Sequence, residues 1–133
     1  MSAENVEIIM QTFSRFDPDD LEEWAALWHP DARVTPPDGW PEPGPFVGRE
    51  AIVRELKRMT EWAEYGYEDV EVVAESGEWV VITWHWHARG LASGVEADFD
   101  FANASRIRDG QIIESHFRRD RNEALEAAGL ERR

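Results

Sequence analysis

The 133-residue chain contains no cysteine. That removes disulfides, thiolate nucleophiles and cysteine-ligated metals from the chemistry available to it, and fits a reducing compartment. Positive charge is scarce, with 14 Lys and Arg against 28 Asp and Glu and a formal net charge of −14. Such a field repels phosphate backbones and anionic lipid, so neither nucleic acid nor a membrane is an expected partner. No stretch approaches the ~20 apolar residues that a membrane span requires. The first residues carry Glu4 and Glu7 without an apolar run, unlike a secretory signal. Repeats and low-complexity tracts are absent too, so the expectation is one cytoplasmic domain over residues 1–133 with frayed ends.

Aromatic residues are plentiful. Seven Trp and six Phe within 42% hydrophobic residues supply enough burial to offset the entropy of ordering the chain. In the first half, Val6, Ile9, Met10, Phe13 and Phe16 follow helical spacing. Asp17-Pro18-Asp19-Asp20 reads as the start of a second helix, with Asp17 as N-cap and Pro18 in the first turn. Leu21, Trp24, Ala25, Leu27 and Trp28 would be its stripe, and Pro30 its end. Ala32–Thr35 is a short strand candidate, 36–48 a Pro- and Gly-rich ordered loop, and Arg49–Ala63 a third helix.

The second half switches to a period of two. Strands are expected over Val70–Glu75, Trp79–Arg89, Val95–Ile107 and Ile112–Arg119, followed by a short helix over Asn122–Ala128. Helices followed by a meander define an α+β domain with helices on one face of an antiparallel sheet. Alternation puts Val80, Ile82, Trp84, Trp86 and Ala88 on the covered face and Thr83, His85, His87 and Arg89 opposite, near Glu96 and Asp98. For the last hairpin, a three-residue turn at 108–110 pairs Asn103 with Ser115, Phe101 with Phe117 and Phe99 with Arg119. It matches apolar with apolar and sets Asp100 against Arg118, whereas a one-residue slip would turn Glu114, His116 and Arg118 inward.

The segments Leu27-Trp28-His29-Pro30-Asp31-Ala32-Arg33-Val34, Phe46-Val47-Gly48-Arg49-Glu50-Ala51-Ile52, 106–112 and 120–130, in this order, resemble the SnoaL-like branch of the nuclear-transport-factor-2-like superfamily. The resemblance covers nearly the whole chain. It implies a cystatin-like cone, in which a strongly curved antiparallel sheet wraps N-terminal helices around a pocket, with a homodimer formed through the outer sheet face. Activity varies across that superfamily, from polyketide cyclases and ketosteroid isomerases to noncatalytic binders. The isomerase general base would fall near Pro36, its tyrosine donor near Thr12 and its protonated acid near Asn103. Asn103 retains a hydrogen-bond donor suited to a carbonyl or enolate oxygen, whereas Pro36 has no titratable side chain to act as the base.

The candidate ligand-binding residues are therefore Trp40, Trp84, Trp86, Phe99, Phe101, Asn103, Ser115, Phe117 and Arg119. Asn103, Ser115 and Arg119 are the polar minority on an aromatic wall, and would orient a carbonyl, hydroxyl or carboxylate of a ligand unless Asn103 and Ser115 merely satisfy each other and Arg119 pairs with a carboxylate at the rim. Trp40 in its Pro/Gly loop is the lid candidate, Trp24 and Trp28 read as core, and Tyr65 and Tyr67 as donors near the opening or loop packing. His85, His87 and His116 with Glu96 and Asp98 share the spacing of a metal site, but an outward face of ion pairs explains them, so no metal and no cofactor is expected. The functional expectation is a binder of a small apolar, polyketide-like or steroid-like molecule, whether or not it catalyses isomerisation, cyclisation or dehydration. The alternative is a noncatalytic binding or dimeric interaction module.

Overall fold

The computed structural model describes residues 2–130. Expected fraying at Met1 and 131–133 lies outside them. The elements, in order, are α1 (Ser2–Ser14), α2 (Glu22–Ala25), β1 (Trp28–Thr35), β2 (Phe46–Val47), α3 (Arg49–Trp62), β3 (Ala63–Ser76), β4 (Trp79–Gly90), β5 (Glu96–Arg108), β6 (Gln111–Arg118) and α4 (Arg121–Ala127). No helix among the described residues is long and apolar enough to cross a membrane.

The strands form one sheet in the order β2-β1-β6-β5-β4-β3. The expected antiparallel sheet is mixed: β1 runs parallel to β6, pairing Trp28 with Ile112 and Val34 with Ser115. Both strands begin at the same end, where Ile112 N donates to Leu27 O at 2.9 Å. This pairing also draws Trp28, His29 and Pro30 into β1 instead of the second helix. The aspartates before α2 make local turns rather than a long helix. Asp17 Oδ1 accepts from Asp19 N at 2.9 Å and Asp20 Oδ1 from Glu22 N at 3.1 Å.

β3, with 14 residues, is more than twice the length read from the sequence. Its first half, Glu64 to Asp69, is acidic and contains Gly66, so it lacks the apolar alternation that marks a strand. It is an edge strand, interrupted by irregularities at Glu68/Glu71 and Val72/Ala74, which blunt an otherwise open ladder.

The two faces fall as the alternation predicts. Val80, Ile82, Trp84, Trp86, Ala88 and Phe101 are buried beside Ile9 of α1 and Ile52 and Met59 of α3. Not all helices share that face, however. α4 packs on the reverse side, where Leu125 and Ala124 cover Val81, Ala102 and Ala104. Its N-cap is Asp120, whose carboxylate accepts from Glu123 N at 2.9 Å.

The last hairpin has a two-residue turn, not three. Arg108 pairs with Gln111 across Asp109 (φ 52°) and Gly110 (φ 79°), the left-handed pair that a type I′ turn demands. An irregularity between Arg106 and Ile107 then shifts the ladder, so Asn103 lies opposite Phe117, Ser105 opposite Ser115 and Ala102 opposite Arg118. The expected pairings are thus off by two residues. A shift of two preserves the face of every side chain, which is why Asn103, Ser115 and Phe117 still point inward.

Candidate functional site

Between the sheet and helices α1 and α3 lies a cavity of about 600 Å³. Trp84, Trp86, Phe101 and Phe117 form its sheet wall, and Ile9, Phe13, Ile52 and Met59 its helical wall. The aromatic rings pack on one another, with Trp84 and Phe101 centroids 5.6 Å apart, Trp86 and Phe101 5.4 Å apart and Trp84 edge-on to Phe117 at 6.0 Å. Trp24 and Trp28 are buried, as expected of core residues, yet they also line the cavity. So do Thr12, Pro36 and Asn103, the positions singled out by the isomerase resemblance.

A buried polar ring sits in this apolar wall. Asn103, Ser105 and Ser115 are 4%, 2% and 1% exposed. Ser105 Oγ donates to Asn103 Oδ1 at 2.6 Å, and Asn103 Nδ2 donates to Ser115 Oγ at 2.8 Å. The two serine oxygens are 2.8 Å apart. Because the Ser105 hydrogen is committed to Asn103, Ser115 must be the donor in that third bond. The three bonds then run in one direction round a closed ring, each strengthening the next. One N–H of Asn103 remains free to donate to a ligand. Ser105 was not among the expected site residues, although it alternates with Asn103 on the same strand face.

Two further groups complete the wall. Tyr65 lines the cavity with no hydrogen-bond partner for its hydroxyl among the described residues, and burial, helped by neighbouring Tyr67, pushes its pKa up to about 12. It is therefore a neutral donor at any physiological pH. Glu55, on α3, also lines the cavity. Strand alternation excludes acids from the inner face, but helical spacing from Ile52 and Met59 brings Glu55 round to it. Its carboxylate accepts three hydrogen bonds. Arg58 Nε reaches Oε1 and Arg58 Nη2 reaches Oε2, both at 2.8 Å, while Trp40 Nε1 also donates to Oε2 at 2.8 Å. Burial raises its pKa, but the hydrogen bonds from Arg58 and Trp40 outweigh burial and hold the carboxyl below its ordinary value. The indole N–H groups of Trp28 and Trp62 are buried without partners and closed off from any ligand in this conformation.

Phe99 and Arg119 do not line this cavity. They line a second one of about 430 Å³, shared with Trp40, Trp62, Trp86 and Phe101. Arg119 lies beyond the end of β6, exposed at the rim. Trp40, the lid candidate, borders both cavities and packs on Trp62 and Trp86, with centroids 6.4 Å and 6.3 Å away.

The histidines face outward. His85 bridges Asp98 and Asp100, with Nδ1 at 2.8 Å from Asp100 Oδ1. His116 stacks on Trp79 with centroids 6.1 Å apart and lies 3.1 Å from Thr35 Oγ1 through Nδ1. Neither His116 nor Glu114 lines the cavity. Among the described residues no cluster of His, Asp and Glu is arranged to hold a metal ion.

A curved mixed sheet closing round two helices to leave an apolar cavity defines the NTF2-like cone. An NTF2-like protein from Burkholderia xenovorans LB400 shares the fold with a TM-score of 0.81 at 24% identity, over 96% of this chain and 97% of that one. A candidate polyketide cyclase from Xanthomonas campestris pv. campestris gives 0.77 at 18% identity, over 92% and 94%. TerC, co-crystallised with polyporic acid, gives 0.70 at 23% identity, over 92% and 98%. Likeness at these identities speaks for the fold. No curated protein matches the chain. The profile of the SnoaL-like domain family matches residues 9–115, and the chain belongs to that family.

Proposed function

We propose that this protein binds one small, largely planar apolar molecule of polyketide or steroid type in the cone cavity, with a carbonyl or hydroxyl oxygen held by Asn103 and Tyr65. The observation that carries this reading is the combination of an aromatic cavity of about 600 Å³ with one free Asn103 N–H and an unpartnered Tyr65 hydroxyl. Ligand sites are typically apolar clefts of ~300–1,000 Å³ with a few convergent polar groups. Trp40, Trp84, Trp86, Phe101 and Phe117 would supply ring contacts and exclude water, and Ser115 would hold Asn103 in place. TerC, with its polyporic acid, is consistent with an aromatic guest in a cone of this shape.

The chemistry open to such a site is donation to a developing enolate oxygen, as in an isomerisation, cyclisation or dehydration. Proton abstraction is poorly served. Glu55, the inward carboxylate, is tied up by three hydrogen bonds from Arg58 and Trp40 that hold it ionised and weaken it as a base, so a noncatalytic binder of the same ligands is the second reading. The same proposal takes residues 1–133 as one cytoplasmic domain that dimerises through the outer face of β3, β4 and β5, and sedimentation showing a monomer at micromolar concentration would remove the dimer.

Native mass spectrometry of protein purified under mild conditions tests the site. Wild type should retain an apolar small molecule, and Asn103→Leu, which keeps the volume and removes the donor, should lose or exchange it. Identical ligand profiles for the two proteins across a metabolite panel would show that Asn103 is not the anchor.

A further inference from the structure

The smaller cavity differs from the larger in the charge it offers. The charged residues lining the main cavity are Glu55 and Glu64, and each is answered by an arginine: Glu55 by Arg58 at 2.8 Å and Glu64 by Arg89 at 3.3 Å. The charged residue lining the smaller cavity is Arg119, and no carboxylate among the described residues lies within ion-pairing distance of it. In a chain with 28 acidic residues, this guanidinium is turned instead toward aromatic rings.

It is nonetheless held in place. Its Cζ lies 4.5 Å from the centroid of Phe99 and 5.8 Å from that of Phe101. One Nη2 donates to the carbonyl oxygen of Asp38 at 3.1 Å. Residue 39, next to it, is a glycine with φ +87°, a backbone conformation that L side chains rarely adopt. A guanidinium has five N–H donors, and one is used here. The remainder form a pre-oriented fork beside a cavity that shares Trp40, Ala63, Trp86 and Phe101 with the main one.

We propose that the smaller cavity is an anion subsite, in which Arg119 holds a carboxylate of a ligand whose apolar body fills the cone, so that the preferred ligand is an aromatic organic acid. This rests on the cone cavity being a ligand site, as argued above, and adds the chemical class of what enters it. A carboxylate suits the fork because guanidinium and carboxylate match in planar, bidentate geometry. A monoanion is favoured over a phosphate dianion because every added negative charge is opposed by the net −14 of the chain. Trp40, which borders both cavities, is the ring past which the acid group would extend.

The test uses 1-pyrenebutyric acid and its primary amide, which share a planar body and tether and differ in charge, titrated at neutral pH by quenching of tryptophan emission. Wild type should bind the acid about tenfold tighter than the amide, the low end of the range for a hydrogen bond to a charged group because Arg119 is exposed. Arg119→Gln should abolish that preference, bringing acid affinity down to about that of the amide, and Arg119→Lys should retain part of it. Arg121→Gln, an exposed charge change on α4, should leave the preference intact. Asn103→Leu should weaken acid and amide alike. Equal binding of both probes by wild type, or an acid preference that survives Arg119→Gln, overturns the anion subsite while leaving the cone cavity standing. Failure of both probes to bind wild type removes the cavity reading and the subsite with it.

Discussion

The two faces of the β4–β5 ladder share one backbone and have almost nothing else in common. Inward, Trp84 lies opposite Phe101 and Trp86 opposite Phe99, a ring wall on which α1 and α3 close. Outward, one position along, His85 lies opposite Asp100 and His87 opposite Asp98. The outer face itself divides. Where α4 crosses it, Val81, Ala102 and Ala104 are fully covered by Leu125 and its neighbours. Beyond α4 it is a lattice of charge in water. A single strand thus passes through a ligand wall, a packed core and a solvated surface, and the side-chain period of two decides which residue meets which.

The largest break in this comparison should come from the buried sides. Trp84→Ala removes a large buried ring and is expected to destabilise the fold by ~3–5 kcal/mol, and Leu125→Ala by ~2–5 kcal/mol, read from urea unfolding midpoints. Leu125→Ala should leave ligand binding by surviving folded protein unchanged, since α4 does not reach the cavity, whereas Trp84→Ala should also abolish it. His85→Ala should not move the midpoint at neutral pH, because exposed pairs contribute little. A midpoint shift for His85→Ala comparable to that for Leu125→Ala would mean that the open half of the outer face is not solvated in solution.

An intermediate effect is expected at the polar ring. Ser105→Ala leaves Asn103 Oδ1 without its donor in a site that is almost fully closed, and unsatisfied buried groups cost ~1–3 kcal/mol. Ser105→Ala should also reduce ligand affinity without removing any ligand contact made by Asn103, because the amide loses the bond that orients it. Should Ser105→Ala be neutral for both stability and binding, the ring would be an incidental contact rather than a fixed donor.

Much of this contrast was legible in the sequence. Alternation assigns Trp84, Trp86, Phe101 and Asn103 to the inner face and His85 and His87 to the outer, and the register that matches apolar with apolar adds Ser115 and Phe117 to the inner face. It survived an error in the β5–β6 turn because an even shift keeps the face. What escaped had other physical origins. The Asp109-Gly110 turn was passed over because the bulge that follows it leaves no mark in hydrophobic pattern. Glu55 leaves no mark in the strand alternation, because helical and strand periods meet in the same cavity and this acid comes from the helix. Arg119 was put on the wall by extrapolating β6 one residue too far, into the segment where the chain turns toward α4.

The smallest effects should come from the two outward histidines, and their signs should be opposite. His85 sits in the open half of the outer face, where its hydrogen bond to Asp100 and the nearby charges of Asp98 and Asp100 raise its pKa above 6.5. Its contribution is therefore complete below the unfolded value and is lost as pH rises through the folded one. His116 lies against Trp79, and burial lowers its pKa below 6.5 despite Glu114, with Arg118 and Arg33 pushing the same way as burial. A depressed folded value means that the contribution is present above 6.5 and lost as pH falls below 6.5 through the folded value. Thermal midpoints measured from pH ~5 to ~8 should show Gln at position 85 flattening the alkaline decline and Gln at position 116 flattening the acidic one. If both substitutions flattened the same limb, the two histidines would share one environment, and the division of the outer face into a covered and an open half would not hold in solution.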